Sequence, residues 1–105
     1  MSKQDEEMEL LEKRLVVERV QTGMRMEKRM VKVLKGLAEY LDISLGDLLE
    51  GIVLHAFESQ APFSDQTLRQ IERLKEVYGM DYGVEASHRL TEMLPTQKEG
   101  KSDAL

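Results

Sequence analysis

The feature that most constrains this chain is a short alternating segment that has no second segment like it. Between residues 19 and 26 apolar and polar side chains alternate, which is typical of a half-buried β-strand. A lone strand leaves its backbone N–H and C=O groups unpaired, which is unfavourable unless another strand completes it. Since the chain contains no other such pattern, we expect this strand to pair with its copy in an antiparallel homodimer.

The next two segments follow the helical period. Residues 27–41 carry an apolar stripe, and residues 45–57 carry a wider one and contain no Lys or Arg. The break between them contains Ser44, a suitable N-cap, and Asp47 follows three positions later as a short capping-box variant. The predicted order from residue 19 is therefore strand, helix, turn, helix.

Helical patterning continues beyond this unit. Ser64 is a suitable N-cap for a third helix that ends at Gly79, and residues 83–94 favour a shorter fourth helix. The predicted organisation consists of an acidic N-terminal arm (1–18) that is an amphipathic helix or frayed, a strand–helix–helix domain (19–58), a C-terminal helical extension (59–94) and a disordered tail (95–105).

Charge is segregated along a chain that is acidic overall. The 105 residues carry a formal net charge of −5, yet residues 19–35 contain six cations and one acid. An anion meets the local charge rather than the net charge, so this basic stretch predicts a nucleic-acid contact. The alternative is a solvated helix face on which cations cluster by chance.

Composition excludes several kinds of site. The chain has no Cys, so it offers no disulfide, thiol nucleophile or Cys-ligated zinc. Two histidines are too few for a His-based metal cluster, and the adjacent Ser87 and His88 have no acid placed with them. We therefore expect no enzyme activity, metal or cofactor. No apolar run approaches the roughly 18 residues of a membrane span, and the acidic N-terminus is unlike a signal peptide, which favours the cytoplasm.

The order of elements over residues 19–58, with basic charge on the strand and the early first helix, resembles the ribbon–helix–helix family of DNA-binding proteins. The resemblance implies a mainly α homodimer whose two strands form an antiparallel β-ribbon in the DNA major groove. With the family's turn placed on residues 42–46, its base-reading positions fall on Gln21, Gly23 and Arg25. Gln can pair with adenine and Arg with guanine, whereas Gly23 has no side chain to read a base.

The other contacts that the resemblance implies are mainly to DNA phosphates. The family binds a phosphate with backbone N–H groups at the start of its second helix, here those of Ser44, Leu45 and Gly46. Further candidates in the basic stretch are Arg19, for a phosphate or a base, and Lys28, Arg29 and Lys32 for phosphates.

Together these observations predict a homodimer that binds double-stranded DNA and regulates transcription, with a higher oligomer through the C-terminal helices left open. The alternative is a dimeric protein-interaction module, antitoxin-like or a scaffold, with weak or no DNA binding. In that case residues 64–94 would contact a protein partner, and the arginines of the strand would only keep the dimer soluble.

Overall fold

A computed structural model describes residues 14–93 and contains three α-helices in this range. Helix α1 spans Lys28–Leu41, α2 spans Leu45–Phe57 and α3 spans Asp65–Tyr78, and a 3-10 turn follows at Val84–Ala86. The prediction of a mainly α protein is therefore confirmed for the described residues. None of these helices is long and apolar enough to cross a membrane.

The helix ends follow from short-range hydrogen bonds. Ser44 caps α2 and Ser64 caps α3, and each hydroxyl oxygen accepts the backbone N–H three residues later, at 3.0 and 3.2 Å. Gly79 ends α3 with a φ of 68°, the left-handed conformation that glycine adopts without strain. These three positions confirm the predicted caps. Asp42 ends α1 in the same conformation, with a φ of 60°.

The predicted strand at residues 19–26 is wrong. Residues 14–26, here called the N-terminal segment, contain neither helix nor strand and are exposed throughout. A β-ladder needs a second strand, and within residues 14–93 no backbone group hydrogen-bonds to the backbone of this segment. The ribbon–helix–helix fold class is therefore not the fold of the described chain, which is three-helical.

The fourth helix expected in residues 83–94 is also wrong, because only the 3-10 turn forms in the described part of it. Val84 is 91% exposed and Leu90 is 52% exposed, so this stretch has no buried apolar side to hold a helix in place. The predicted acidic arm lies outside the described residues except for residues 14–18, which are not helical. The tail at 95–105 lies wholly outside them.

Helix α1 lies at the centre of the packing and contacts both α2 and α3. Among residues 14–93 the buried hydrophobic side chains are three from α1 and one from α2: Val33, Leu37, Ala38 and Leu48. Partly buried apolar side chains from all three helices and from the linker before α3 pack around Leu37, Ala38 and Leu48. The core is therefore small for the length of chain that the structure describes.

The close approach of α1 and α3 depends on Gly36, where an added Cβ would lie 2.9 Å from Leu74 Cδ2. We expect Gly36→Val to lower the free energy of unfolding by about 1–3 kcal/mol, because the extra carbons push α3 away from α1. Urea denaturation followed by circular dichroism measures this, with Glu39→Val on the exposed side of α1 as the control. Equal stability of the two variants would contradict the close packing.

Candidate nucleic-acid interface

The exposed side of α1 carries a row of lysines. Lys28, Lys32 and Lys35 stand at positions i, i+4 and i+7 and are all exposed, so they lie on one side of the helix. None of the three forms an ion pair with a residue in the range 14–93. Lys32 Nζ lies 5.7 Å from the centroid of the Tyr78 ring, a cation–π distance. We call these three residues the lysine row.

Arg29, one position after Lys28, is instead held by contacts within the chain. Its Nε donates to Glu27 Oε2 at 3.0 Å, and its Nη1 donates to the carbonyl of Gly79 at 2.9 Å and to Asp81 Oδ1 at 3.2 Å. The guanidinium also lies 5.5 Å from the centroid of the Tyr82 ring. Arg29 therefore joins the start of α1 to the loop after α3, and its predicted phosphate contact stays a prediction.

Glu27 is the centre of this junction. Its carboxylate caps α1 by accepting the N–H groups of Arg29 and Met30, and the Tyr82 hydroxyl donates to Oε1 at 2.6 Å. Burial disfavours the charged carboxylate, but the hydrogen bonds from Tyr82, Arg29 and Met30 outweigh it and lower the pKa of Glu27 to about 2. Burial and the bond to Glu27 raise the pKa of Tyr82 to about 12. The carboxylate and the neutral phenol therefore coexist at neutral pH.

The two arginines of the N-terminal segment each contact a carboxylate. Arg19 donates two hydrogen bonds to Glu50 on α2, at 2.9 and 2.8 Å, and Arg25 pairs with Glu92. The hydrogen bond from Arg19 lowers the pKa of Glu50 because it stabilises the charged form. Both pairs are exposed, and exposed ion pairs contribute little to stability.

Gln21 and Gly23, the other two residues predicted to read bases, lie in the same exposed segment. A Cβ added at Gly23 would have open space around it, so packing within the described chain does not require glycine there. Gln21 is thus exposed with no side-chain hydrogen bond within residues 14–93, whereas Arg25 is exposed and paired with Glu92.

The turn at residues 44–46 begins α2, as predicted. The Ser44 hydroxyl oxygen already accepts the N–H of Asp47, and the exposed Asp47 carboxylate disfavours an anion in this first turn. The pKa of Arg19 is raised chiefly by its hydrogen bond to Glu50 and to a smaller extent by Asp47. Arg19 contacts Glu50, further along α2, and no hydrogen bond or ion pair within residues 14–93 links the turn at 44–46 to the lysine row.

Three residues of this surface were not predicted from the sequence. Lys35 completes the lysine row, and its spacing from Lys28 could have identified it. Glu27 is the one acid among residues 19–35, which marks it as unusual in composition. Its partner Tyr82 lies 55 residues further along the chain, and no sequence signal connects the two.

Within residues 14–93 neither histidine forms a hydrogen bond or ion pair with the charged residues described above. His55 Nδ1 is 2.7 Å from the carbonyl oxygen of Gly51, one turn earlier in α2, and His88 is exposed after the 3-10 turn. Within residues 14–93 no group of three or more His, Cys, Asp or Glu side chains could hold a metal ion. The candidate site is therefore one of exposed charge and hydrogen-bonding groups.

Comparison with known proteins gives no family assignment. No family model, curated protein or solved structure matches the chain. The resemblance to ribbon–helix–helix proteins remains a prediction from the sequence, and a function has to be argued from the surface itself.

The Glu27 carboxylate makes stability depend on pH in acid. Because folding lowers the pKa of Glu27 from 4.5 to about 2, its stabilising effect is complete above about pH 4.5 and is lost as the pH falls towards 2. We expect Glu27→Ala to lower the free energy of unfolding at pH 7 by about 1–2 kcal/mol and to weaken its dependence on pH between 4.5 and 2.

Urea denaturation at one protein concentration, from pH 7 to pH 2, measures both effects. Glu39→Ala, on the exposed side of the same helix, is the matched control. Tyr82→Phe removes the hydrogen bond from its other end, so the double variant with Glu27→Ala should lose less stability than the two single losses combined. Additive losses would show that the two side chains do not interact.

Proposed function

We propose that this chain binds double-stranded DNA as a homodimer and acts as a transcriptional regulator. The observation that carries the proposal is the lysine row, three exposed cations on one side of α1 in a chain with a net charge of −5. Within residues 14–93 no carboxylate pairs with them. Such a row attracts a polyanion locally even though the net charge is negative.

The length of the row suits a DNA backbone. Lys28 and Lys35 are separated by about 10 Å along the helix axis. Over that distance one DNA strand presents about three phosphates, and long flexible lysine side chains can reach them without fixed geometry. Contacts of this kind position a protein on DNA but do not distinguish sequences.

The N-terminal segment is proposed to recognise the base sequence of the DNA. Gln21 and Arg25 are exposed, and they are the side chains that pair bidentately with adenine and guanine. Arg25 would exchange the Glu92 carboxylate for a base edge, so one charge-assisted contact replaces another. The main cost is ordering a segment that has no regular secondary structure in the free chain.

A second function is favoured by a different observation. Several apolar side chains of α3 and of the residues after it are exposed, namely Val77 (72%), Val84 (91%), Leu90 (52%) and Met93 (61%). Where such side chains lie together, they are typical of a protein-contact surface. The alternative is a dimeric interaction module, antitoxin-like or a scaffold with weak or no DNA binding, that contacts a protein partner through residues 64–94. The lysine row then serves only solubility.

Neutralising the lysine row tests DNA binding. We expect the combined variant Lys28→Gln, Lys32→Gln and Lys35→Gln to bind duplex DNA at least about tenfold more weakly than the wild type. Its affinity should also depend less steeply on salt, because each lost phosphate contact removes about 0.9 from the slope. Fluorescence anisotropy over a salt series measures both quantities.

The matched control replaces three cations of α3 by glutamine: Arg69, Arg73 and Lys75. Both variants change the net charge by the same amount, so a larger loss in the first shows that the position of the charge matters. Equal losses would contradict the lysine row as the binding surface. A folded dimer that binds no DNA even at low salt would sink the DNA proposal and favour the interaction module.

Substitution of Arg25 tests whether the N-terminal segment recognises DNA bases. If Arg25 contacts a base, Arg25→Ala should weaken binding to some sequences only, whereas a phosphate contact would give a uniform loss and a shallower salt slope. We expect Glu92→Gln, which releases Arg25, to raise DNA affinity more than Glu76→Gln does, although each removes one negative charge. The same increase in both would show that the Arg25–Glu92 pair does not compete with DNA.

A further inference from the structure

The lysine row is basic over a defined length of α1. Lys28, Lys32 and Lys35 are exposed, and within residues 14–93 none of them pairs with a carboxylate. Glu39 is exposed one turn after Lys35 on the same side of the helix, so it limits the positive surface at that end. The positive surface therefore spans about two turns of helix and suits an anionic partner of similar length.

The sequence contains a segment with the complementary pattern. Residues 1–13 contain two lysines and five acids, whereas residues 19–35 contain six cations and one acid. Asp5, Glu9 and Glu12 stand at positions i, i+4 and i+7, which is the spacing of the lysine row. On a helix these three carboxylates would share one side, at the same intervals as the lysines. Opposite charges at matched intervals favour a contact in which each carboxylate meets one lysine.

Apolar side chains accompany the charges in both segments. Lys32 lies against the ring of Tyr78, which is 37% exposed, so an aromatic surface borders the lysine row. Met8 and Leu11 stand among the acids of the N-terminal sequence, at the helical spacing of an apolar stripe. A segment with both properties can cover the aromatic ring and pair with the lysines, which a purely acidic ligand cannot do.

The acids are tethered directly to the start of the lysine row. Sixteen positions separate Glu12 from Lys28, a length of chain that extends up to about 55 Å. With Arg19 held at Glu50 on α2, the seven positions from Arg19 to Glu12 still extend up to about 25 Å, and α1 is about 10–12 Å wide. The tether therefore permits the contact within one chain and gives an effective concentration on the order of millimolar.

We propose that residues 5–12, here called the acidic segment, dock on the lysine row of their own chain and compete there with DNA. The contact itself does not depend on the proposed function, whereas its effect on DNA binding rests on it. Exposed ion pairs are individually weak, so the docked state is held by the tether and exchanges readily. DNA offers more charge than three carboxylates and displaces them. The acidic segment thereby lowers the apparent affinity for DNA in proportion to the time that it occupies the row.

Carbodiimide crosslinking of the full chain tests the contact without DNA. The reagent joins a carboxylate to a lysine amine with no spacer, so it reports direct contact. The reference is Arg69→Lys, which places an exposed lysine on α3. In this variant we expect links from the acidic segment to the lysine row at least about threefold more often than to position 69, because the row holds the tethered acids. Mass spectrometry of a mixture with ¹⁵N-labelled protein separates links within one chain from links between two.

Neutralising the acidic segment tests the competition with DNA. The test variant combines Asp5→Asn, Glu9→Gln and Glu12→Gln. The control variant neutralises three acids at other helical positions: Glu6→Gln, Glu7→Gln and Glu18→Gln. Both variants change the net charge by the same amount, so the position of the carboxylates is the difference between them. We expect the test variant to bind duplex DNA at least about threefold more tightly than the control in fluorescence anisotropy at one salt concentration.

The outcomes separate this proposal from the proposed function. Preferential links to the lysine row within one chain, with tighter DNA binding by the test variant, support the proposal in full. The same links in a chain that binds no DNA support the docking and contradict the proposed function. Equal links to the row and to position 69, or links between chains alone, overturn the docking. Equal DNA affinities of the test and control variants overturn the competition.

Discussion

Helix α1 has to meet two opposite requirements along one backbone. One side buries Val33, Leu37 and Ala38 and contacts both other helices, while another side keeps the lysine row in water. Because a helix is rigid over this length, the packing of the core also sets where the cations lie. Gly36, which directly follows Lys35 of this row, contributes to the packing by letting α3 come close to α1.

What could be predicted from the sequence was mostly local. The caps at Ser44 and Ser64 and the end of α3 at Gly79 depend on hydrogen bonds between residues a few positions apart, so a short stretch of sequence contains the whole signal. Most of the lysine row follows in the same way, since residues three or four apart lie on one side of a helix.

Contacts between residues far apart in the sequence could not be predicted from such local patterns. The alternation at residues 19–26 is a true local pattern, but a strand also needs a partner, and the described chain contains none for it. Likewise the pairs Arg25–Glu92 and Arg29–Asp81 join residues 67 and 52 positions apart. The sequence shows that these arginines stand close together in a basic stretch. It does not show that each one pairs with a carboxylate elsewhere in the chain.

The Glu27–Tyr82 hydrogen bond also has a consequence for synthesis on the ribosome. The chain emerges from its N-terminus, so the basic stretch and the first two helices are made well before Tyr82 and before α3 can pack on α1. Until then α3 does not pack on α1, and the hydrogen bond between Glu27 and Tyr82 that links α1 to the loop after α3 cannot form. A translation product that stopped within α3 would carry every cation of the lysine row but not the packing that orients it.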